Sequence, residues 1–261
     1  MKNIREPAVA GVFYPEEAAV LQYSINDMLS RAEGEDLEPR AIIAPHAGYI
    51  YSGEIAASAY KLLEPIKDKI HRVVLLGPTH RVAVSGCALS GAEYFRTPLG
   101  DIPVDMDAVQ KLLSLPNVQL SDFAHQAEHS LEVHLPFLQT VLDEFSLVPI
   151  AVGHMDASDV MNMLDFFWDD SATFFVISSD LSHFHQYLSA QKIDQQTTYA
   201  IEQLQSDAIS GEMACGVYPV NGLLELAKKH HLHCKTLDLR NSGDTAGDKS
   251  RVVGYGAYAF Y

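Results

Sequence analysis

Three histidines occupy equivalent places in the sequence. His46, His80 and His183 each stand in a short loop that follows a run of apolar residues. Such runs are typical of strands buried on both faces of a parallel sheet, and ligands bind in the loops beyond the carboxyl ends of these strands. If the three strands are neighbours, the imidazoles converge on one pocket, where they could bind a metal ion or transfer protons.

The residues around these histidines help to distinguish a site from three ordinary loops. A single histidine after a strand is more often a hydrogen-bonded surface residue than a ligand. Here all three histidines follow the end of an apolar run. Two of them are flanked by prolines and glycines, namely Pro45, Gly48, Gly77 and Pro78. Proline restricts the loop backbone and glycine permits close approach, so the combination favours a defined pocket.

A second group of ionisable side chains lies between residues 125 and 134. Its members are His125, Glu128, His129, Glu132 and His134. On a helix, His125 and His129 would share one face, because residues four apart lie on the same side. Glu128 and Glu132 would share a face for the same reason. One interpretation is a solvated helix face of mixed charge. The other is a set of carboxylates that orient metal-ligating imidazoles through hydrogen bonds.

The elements that would position these residues alternate along the chain. Apolar runs predict strands at 41–44, 72–76, 146–152 and 173–177, with a last strand at 251–260. Helical spacing predicts helices at 16–31, 53–63, 105–115, 128–145, 158–168, 189–205 and 219–231, with Pro136 as a kink in the fourth. The polar stretches 31–40 and 241–250 are short enough to be loops. This alternation predicts an α/β fold, a single three-layer α/β/α domain over residues 1–261 with a largely parallel or mixed central sheet.

Composition and charge exclude several classes of function. The 261 residues include 34 acidic and 18 basic side chains, a formal net charge of −16, without a block of Lys or Arg. Binding to nucleic acid or to an anionic membrane needs clustered cations, so both are excluded as the main function. No apolar run approaches the roughly 20 residues of a membrane span, and the N-terminus lacks a signal-peptide core. We therefore expect a cytoplasmic protein.

The cysteines fit the same compartment. Cys87, Cys215 and Cys234 are too few and too scattered for a disulfide framework, as expected in reducing surroundings. Spacing alone gives no reason to prefer one of them as a ligand, because most free cysteines are small buried apolar residues.

These motifs, together with others, resemble those of the Memo (mediator of cell motility) family, whose bacterial and archaeal members are also called AmmeMemoRadiSam system protein B. The matching segments are residues 5–15 (REPAVAGVFYP), 45–53 (PHAGYIYSG), 77–80 (GPTH), 128–137 (EHSLEVHLPF), 178–183 (SSDLSH), 215–216 (CG) and 253–257 (VGYGA). They occur in order and extend over nearly the whole chain.

The resemblance implies a fold similar to that of the class III extradiol ring-cleaving dioxygenases, which use non-haem iron(II). It also implies that His46, His80 and Cys215 bind one metal ion. A thiolate then stands where the dioxygenases use a carboxylate, and this softer donor favours iron, copper or zinc over magnesium or calcium. Iron and copper are the leading candidates, with zinc a further one.

By the same resemblance, other residues belong to the pocket. His183 is expected to act as general acid and base, because imidazole titrates near neutral pH, and Asp180 is expected to orient it. The remaining expected assignments are Glu128 and His129 as catalytic residues that orient ligands or substrate, and Tyr49, Tyr51 and His134 as substrate-binding residues.

The expected function is that of a metal-dependent redox enzyme, similar to an oxidase or dioxygenase, acting on an unknown small substrate. Two alternatives stay open. One is a non-catalytic module that binds a peptide, a small acid or a redox metal, and the other is a hydrolase that uses metal-activated water. The family grouping adds AMMECR-type and radical-SAM proteins as expected partners.

Overall fold

The structure, a computed structural model, describes residues 3–261, in which strands and helices alternate. The strands are β1 (Ile4–Arg5), β2 (Ala41–Ala44), β3 (Arg72–Pro78), β4 (Cys87–Leu89), β5 (Tyr94–Thr97), β6 (Gly100–Pro103), β7 (Val118–Leu120), β8 (Ser146–Val152), β9 (Thr173–Ser178), β10 (His183–His185), β11 (Cys234–Asn241) and β12 (Val252–Phe260). The helices are α1 (Ala18–Arg31), α2 (Tyr49–Tyr60), α3 (Met106–Leu112), α4 (Asp122–Gln126), α5 (Leu135–Val141), α6 (Ala157–Asp165), α7 (Tyr187–Glu202) and α8 (Val217–Lys229). Short 3₁₀ segments occupy Lys61–Lys69, Glu132–His134, Ser206–Ala208 and Ser242–Asp244.

Nine strands form one mixed central sheet. Its order is β10-β12-β2-β9-β3-β8-β4-β7, and β11 also pairs with β12. The four strands at its centre, β2, β9, β3 and β8, are parallel to one another, whereas β12 and β4 flank them in antiparallel orientation. A separate small sheet contains β1, β5 and β6. The predicted largely parallel or mixed sheet is therefore confirmed.

Helices cover both faces of this sheet. Every residue of β2 and β9 is buried, which requires cover on either side. Helix α2 packs against β2, β11 and β12 and also contacts α1 and α5, while α8 packs against β3 and β9 and also contacts α6. One contiguous hydrophobic cluster fills this layered α/β arrangement. No helix within residues 3–261 combines the length and the apolar character needed to cross a membrane.

The three strands that precede the predicted site histidines are neighbours. Strand β9 lies between β2 and β3, and Ile177 pairs with Ile43 on one side and with Leu76 on the other. The three strands are therefore aligned near their carboxyl ends, and the loops after them meet at one edge of the sheet. The condition under which the histidines converge is thus fulfilled.

The prediction of one helix over residues 128–145 is wrong. The residues after α4 form a non-helical turn, a 3₁₀ segment follows, and only Leu135–Val141 are α-helical. The carboxylate of Glu128 accepts the N–H groups of the two residues that follow it, which competes with helical hydrogen bonding. Pro136 stands in the first turn of α5, where its missing N–H is not needed, so it begins a helix instead of kinking a longer one.

Several strands were not predicted because they lack a continuous apolar run. The longest is β11, whose residues (CKTLDLRN) mix polar and apolar types and are nearly all half-buried. It pairs with β12, and its last residue, Asn241, belongs to a stretch that was predicted as a loop. The other missed strands are short, and they are β1, β4, β5, β6, β7 and β10.

The close contact between α6 and α8 depends on Gly222. A Cβ atom at this position would overlap the side chain of Val160. We expect Gly222→Ala to lower the free energy of unfolding by about 1–3 kcal/mol through overpacking, as measured by urea denaturation. Gly211→Ala is the control, because the nearest atom to a Cβ there would be 3.9 Å away. Equal losses in the two variants would contradict this explanation.

Candidate metal centre

His46 lies in the loop directly after β2 and is almost completely buried. Its backbone N–H donates to Asp180 Oδ1 at 2.8 Å, and its Nδ1 lies 2.6 Å from the Ser178 hydroxyl. That hydroxyl donates to the Ser130 carbonyl at 2.6 Å, so it accepts a hydrogen bond from Nδ1 of His46. Burial and the neighbouring imidazoles hold the pKa of His46 well below its ordinary value. The neutral ring therefore carries its proton on Nδ1, and Nε2 presents a lone pair.

His80 is oriented by a carboxylate instead of a hydroxyl. Its Nδ1 lies 2.9 Å from Glu128 Oε1, and its backbone N–H donates to Oε2 at 2.5 Å. Glu128 also accepts the backbone N–H groups of His129 and Ser130 at 2.9 Å each. Burial works against the charged form of Glu128, but these hydrogen bonds prevail and hold the pKa of the carboxyl well below its usual range. The carboxylate therefore binds Nδ1–H and leaves Nε2 of His80 available to a ligand.

Cys215 reaches the same place from the turn before α8. Its Sγ lies 3.3 Å from Nε2 of His46 and accepts the backbone N–H of Asp180 at 3.3 Å. A Cβ atom on Gly216 would lie 2.6 Å from the Ser178 carbonyl oxygen, so glycine permits this approach. Burial, with the Asp180 carboxyl as a second cause, raises the pKa of the Cys215 thiol. A bound cation would act in the opposite direction and stabilise the thiolate.

These donors fit a transition-metal ion. The coordinating atoms of His46, His80 and Cys215 lie within 4.8 Å of one another. Two ligands of one ion, at bond lengths of about 2.0–2.3 Å, are separated by about 3–4 Å, which matches the spacing of His46 Nε2 and Cys215 Sγ. Two neutral imidazoles and a thiolate are donors that iron, copper and zinc accept. The group could therefore hold one such ion.

A second group of potential donors overlaps the first. It consists of His80, Glu128 and His129. The oxygens of Glu128 already accept four N–H groups, so this carboxylate serves to orient the loops and not as a ligand. The ring of His129 stacks on that of His80 at a centroid distance of 4.7 Å, and it also lies 4.8 Å from the ring of Phe13 and 5.6 Å from that of His46. Burial lowers the pKa of His129, so this ring lies beside the centre as a neutral group.

His183, the predicted acid and base, and Asp180, which was predicted to orient it, stand in the segment that follows β9. Asp180 is buried, and burial raises its pKa although the His46 N–H and the nearby imidazoles act in the opposite direction. Nδ1 of His183 is 2.9 Å from the Leu181 carbonyl oxygen. Because a carbonyl only accepts, Nδ1 carries a proton and Nε2 is left for proton transfer. His183 is thus oriented by donating a hydrogen bond to the Leu181 carbonyl, a main-chain partner that the sequence did not indicate.

The three residues predicted to bind substrate differ in exposure. Tyr51 is 37% exposed. Tyr49 is buried, and its hydroxyl donates to the Val133 carbonyl at 2.7 Å. His134 is buried too, with Nδ1 2.8 Å from the Tyr60 hydroxyl, whereas its Nε2 has no hydrogen-bond partner within residues 3–261. Among these three side chains, Tyr51 is therefore the one that a molecule from solvent reaches directly.

A buried ion pair that was not recognised in the sequence anchors the N-terminal segment to this region. Glu132 forms an ion pair with Arg5 and accepts the backbone N–H groups of Ala8 and Val9 at 2.8 and 3.0 Å and the Tyr14 hydroxyl at 2.6 Å. The guanidinium also donates to two carbonyls of the 125–134 stretch, at 3.1 and 2.6 Å. The sequence signal for this pair was that both partners belong to segments that match the family.

His125 has a structural role. Its ring is buried, with Nε2 2.9 Å from the Ala88 carbonyl oxygen. Burial lowers the pKa of His125 to about 4, against the opposing effect of this hydrogen bond. The folded protein therefore keeps the imidazole neutral at pH values where the unfolded chain protonates it, above pH 4 and below about 6.5.

This difference predicts a pH dependence of stability. The contribution of His125 is fully present above pH 6.5 and is lost as the pH falls towards 4, because only the unfolded chain binds the proton in that window. Between pH 7 and pH 4.5 this residue should remove about 2 kcal/mol from the free energy of unfolding. His125→Gln should lose less over this interval in urea denaturation, whereas His233→Gln, an exposed control, should behave as wild type. Parallel pH profiles for all three proteins would contradict the assignment.

The orientation of His46 by Ser178 is testable without metal. We expect Ser178→Ala to remove the proton from Nδ1 of His46, because its acceptor is lost, and nitrogen NMR of the metal-free protein would show the change of tautomer. Zinc affinity, measured by competition with a chelator, should fall about 10–100-fold. Ser52→Ala is the control, since this equally buried hydroxyl donates to the Ala47 carbonyl at 3.0 Å. An unchanged tautomer together with unchanged affinity would exclude this role.

Comparisons with known proteins agree with the motifs. The Memo-like protein family model matches residues 5–259. A MEMO1 family protein of Aquifex aeolicus is 37% identical over 264 residues, covering 97% of each chain. Protein MEMO1 of Danio rerio is 35% identical over 248 residues, covering 84% of this chain and 83% of its own. A MEMO1 family protein of Methanosarcina mazei is 35% identical over 271 residues, covering 98% of each chain.

Among solved structures, an uncharacterized protein of Escherichia coli K12 is similar, with a TM-score of 0.56 at 12% sequence identity. The match covers 84% of this chain and 99% of that one. At this identity it shows a shared fold alone. The family relationship rests on the sequence matches, which confirm the predicted resemblance: the chain belongs to the Memo-like protein family.

Proposed function

We propose that this protein is a metal-dependent redox enzyme with one iron or copper ion on His46, His80 and Cys215. The proposal is carried by the convergence of three donor atoms from three separate loops, within 4.8 Å of one another. Both imidazoles bind a hydrogen-bond acceptor through Nδ1, so that Nε2 of each is free for the ion. Such preorganisation is typical of a metal centre.

Three further features support redox chemistry at this position. Three protein ligands leave at least one coordination position for a substrate or oxygen, and a bound iron or copper ion would supply electron transfer there. The side chain of His80 is 29% exposed, which gives small molecules a route to the centre. A soft thiolate donor suits redox-active iron or copper as well as zinc.

The protein's own residues would handle protons and orientation. His183 presents Nε2 because the Leu181 carbonyl holds Nδ1–H, so it can take up or release a proton beside the centre. The Asp180 carboxyl holds the backbone of His46. Glu128 orients His80, and the ring of His129 packs on it. Tyr51, at the edge of the site, would contact the substrate.

Metal analysis of anaerobically purified protein tests the proposal. We expect about one equivalent of iron or copper in the wild type, lost in Cys215→Ser and His80→Ala because each change removes a ligand. Cys234→Ser is the control, since this cysteine lies in β11, outside the donor group, and should retain the metal. A bound redox metal would make screening for oxygen-dependent turnover worthwhile.

Other outcomes would favour other functions. Stoichiometric metal retained in Cys215→Ser and His80→Ala would refute this set of ligands. Zinc alone would favour hydrolysis through metal-activated water. No metal in any sample, even after reconstitution, would favour a module that binds a peptide or a small acid in this pocket.

A further inference from the structure

A cavity of about 590 Å³ lies between the N-terminal segment and α2. Its walls are the loop of residues 11–15, the first turn of α2, the facing side of α1, and Asp244 with Thr245. A cavity of this size is within the range that holds small molecules in proteins. None of the residues predicted from the sequence to bind metal lines it.

Two ring contacts connect the cavity to the candidate metal centre. Phe13 lines the cavity, and its ring packs at 4.8 Å against His129, which in turn stacks at 4.7 Å on His80. Tyr51 lines the cavity as well. A molecule in this cavity would therefore lie beside Phe13, and two ring contacts would connect it to His80.

Two apolar side chains at the cavity are exposed to solvent. Val12 and Ile50 are 78% and 71% exposed, although their side chains would gain free energy from burial. Main-chain hydrogen bonds hold this loop in place, because the N–H groups of Val12 and Phe13 donate to the Val9 carbonyl at 3.1 and 2.9 Å. The N–H of Tyr49 donates to the Phe13 carbonyl at 2.8 Å. These two side chains offer apolar surface that a ligand in the cavity could cover.

Each charged group of the cavity wall has a partner within the protein, although only Arg31 and Glu54 form ion pairs within the described part of the chain. Arg31 forms ion pairs with Asp27 and Glu54, and Glu54 also pairs with Arg240. Asp244 accepts hydrogen bonds from the Tyr187 hydroxyl and from a backbone N–H. An anionic ligand would lose its hydration here without finding a free cation among the described lining residues, so the lining favours a ligand without negative charge.

The side chains at the floor of the cavity are uncharged. Tyr14 and Tyr49 line it, but their hydroxyls are hydrogen-bonded to Glu132 and to the Val133 carbonyl. Met28 adds a buried thioether. These side chains offer ring faces and sulfur, which bind apolar and aromatic groups.

We propose that this cavity binds the apolar part of a small molecule without negative charge and that this molecule is the substrate of the metal centre. The second half of the statement rests on the proposed redox function, and the first half does not. The cavity supplies affinity through apolar contact, and Phe13 sets the position of the bound molecule relative to His129 and His80.

The binding of N-phenyl-1-naphthylamine, a neutral apolar fluorescent probe, to the metal-free protein tests the cavity. Ser24 lines it, so Ser24→Trp should fill it and weaken binding of the probe at least about tenfold. Ser30→Trp is the matched control, because Ser30 lies exposed on the same helix outside the cavity and should bind as wild type.

A second pair of variants tests the same cavity in case Ser24→Trp does not fold. Ile50→Asp changes an exposed rim residue at little cost to stability and should also weaken binding at least about tenfold, because it places a charge beside apolar surface. Val20→Asp changes an exposed valine of α1 outside the cavity and should leave binding unchanged. Equal binding by wild type, Ser24→Trp and Ile50→Asp would overturn the site, and so would no binding by any of them.

The link to the metal centre has its own readout. Probe bound to cobalt-loaded protein should show proton NMR lines broadened relative to zinc-loaded protein, because a paramagnetic ion lies near. Sharp lines in both samples would overturn the substrate assignment while leaving the cavity as a binding site. Protein that binds the probe but loads neither ion would instead refute the proposed function, so the two failures are distinguishable.

Discussion

The carboxylate of Glu132 has no exposure to solvent, and burying such a group costs several kcal/mol unless it is paired and hydrogen-bonded. Here the Arg5 guanidinium, two backbone N–H groups and the Tyr14 hydroxyl surround it. These donors belong to the N-terminal segment and the carboxylate belongs to the stretch before α5, so the two parts must stay together. That stretch carries Glu128 and the segment carries Phe13. Both the candidate metal centre and the cavity therefore depend on this one buried pair.

Within the centre, the two histidines are oriented by different chemistry. The Ser178 hydroxyl, a neutral group, accepts Nδ1–H of His46 and passes its own hydrogen bond to the main chain. His80 has a buried carboxylate as its partner, which makes its imidazole the stronger electron donor. The thiolate form of Cys215 would add a negative charge directly at a bound cation, and the Asp180 carboxyl lies 3.9 Å from Nε2 of His46. Charge and tautomer are thus set by groups that touch the ligands and are not themselves ligands.

Asp180 joins the loops that carry the donors. Its carboxylate accepts the N–H of His46, its own N–H donates to Sγ of Cys215, and its carbonyl accepts the N–H of Cys215 at 3.2 Å. The loop after β2, the loop after β9 and the turn before α8 are therefore held together at a single residue. Because β9 lies between β2 and β3, this residue also stands at the middle of the sheet edge where the loops meet.

The sequence alone determined the family, the buried central strands and the position of three histidines beyond the strand ends, because each of these depends on local pattern. Continuous apolar runs mark strands that are covered on both faces, and the loop residues follow them directly. The strands β2, β3, β8 and β9 were predicted within two residues of their observed ends for this reason. Cys215 was reached only through family resemblance, since nothing in its spacing distinguishes it from Cys234.

Only the tertiary structure decided the remaining elements and the roles of the residues around the donors, because these depend on partners far apart in sequence. The predicted helix over 128–145 failed since the side chain of Glu128 captures main-chain N–H groups and His80, 48 residues away. Strand β11 exists because β12 is beside it, although its own residues are mostly polar. The roles of Ser178 and of the Arg5–Glu132 pair required knowing which groups are buried together. Burial makes an unpaired polar group costly, and which groups meet in the interior is a property of the whole fold.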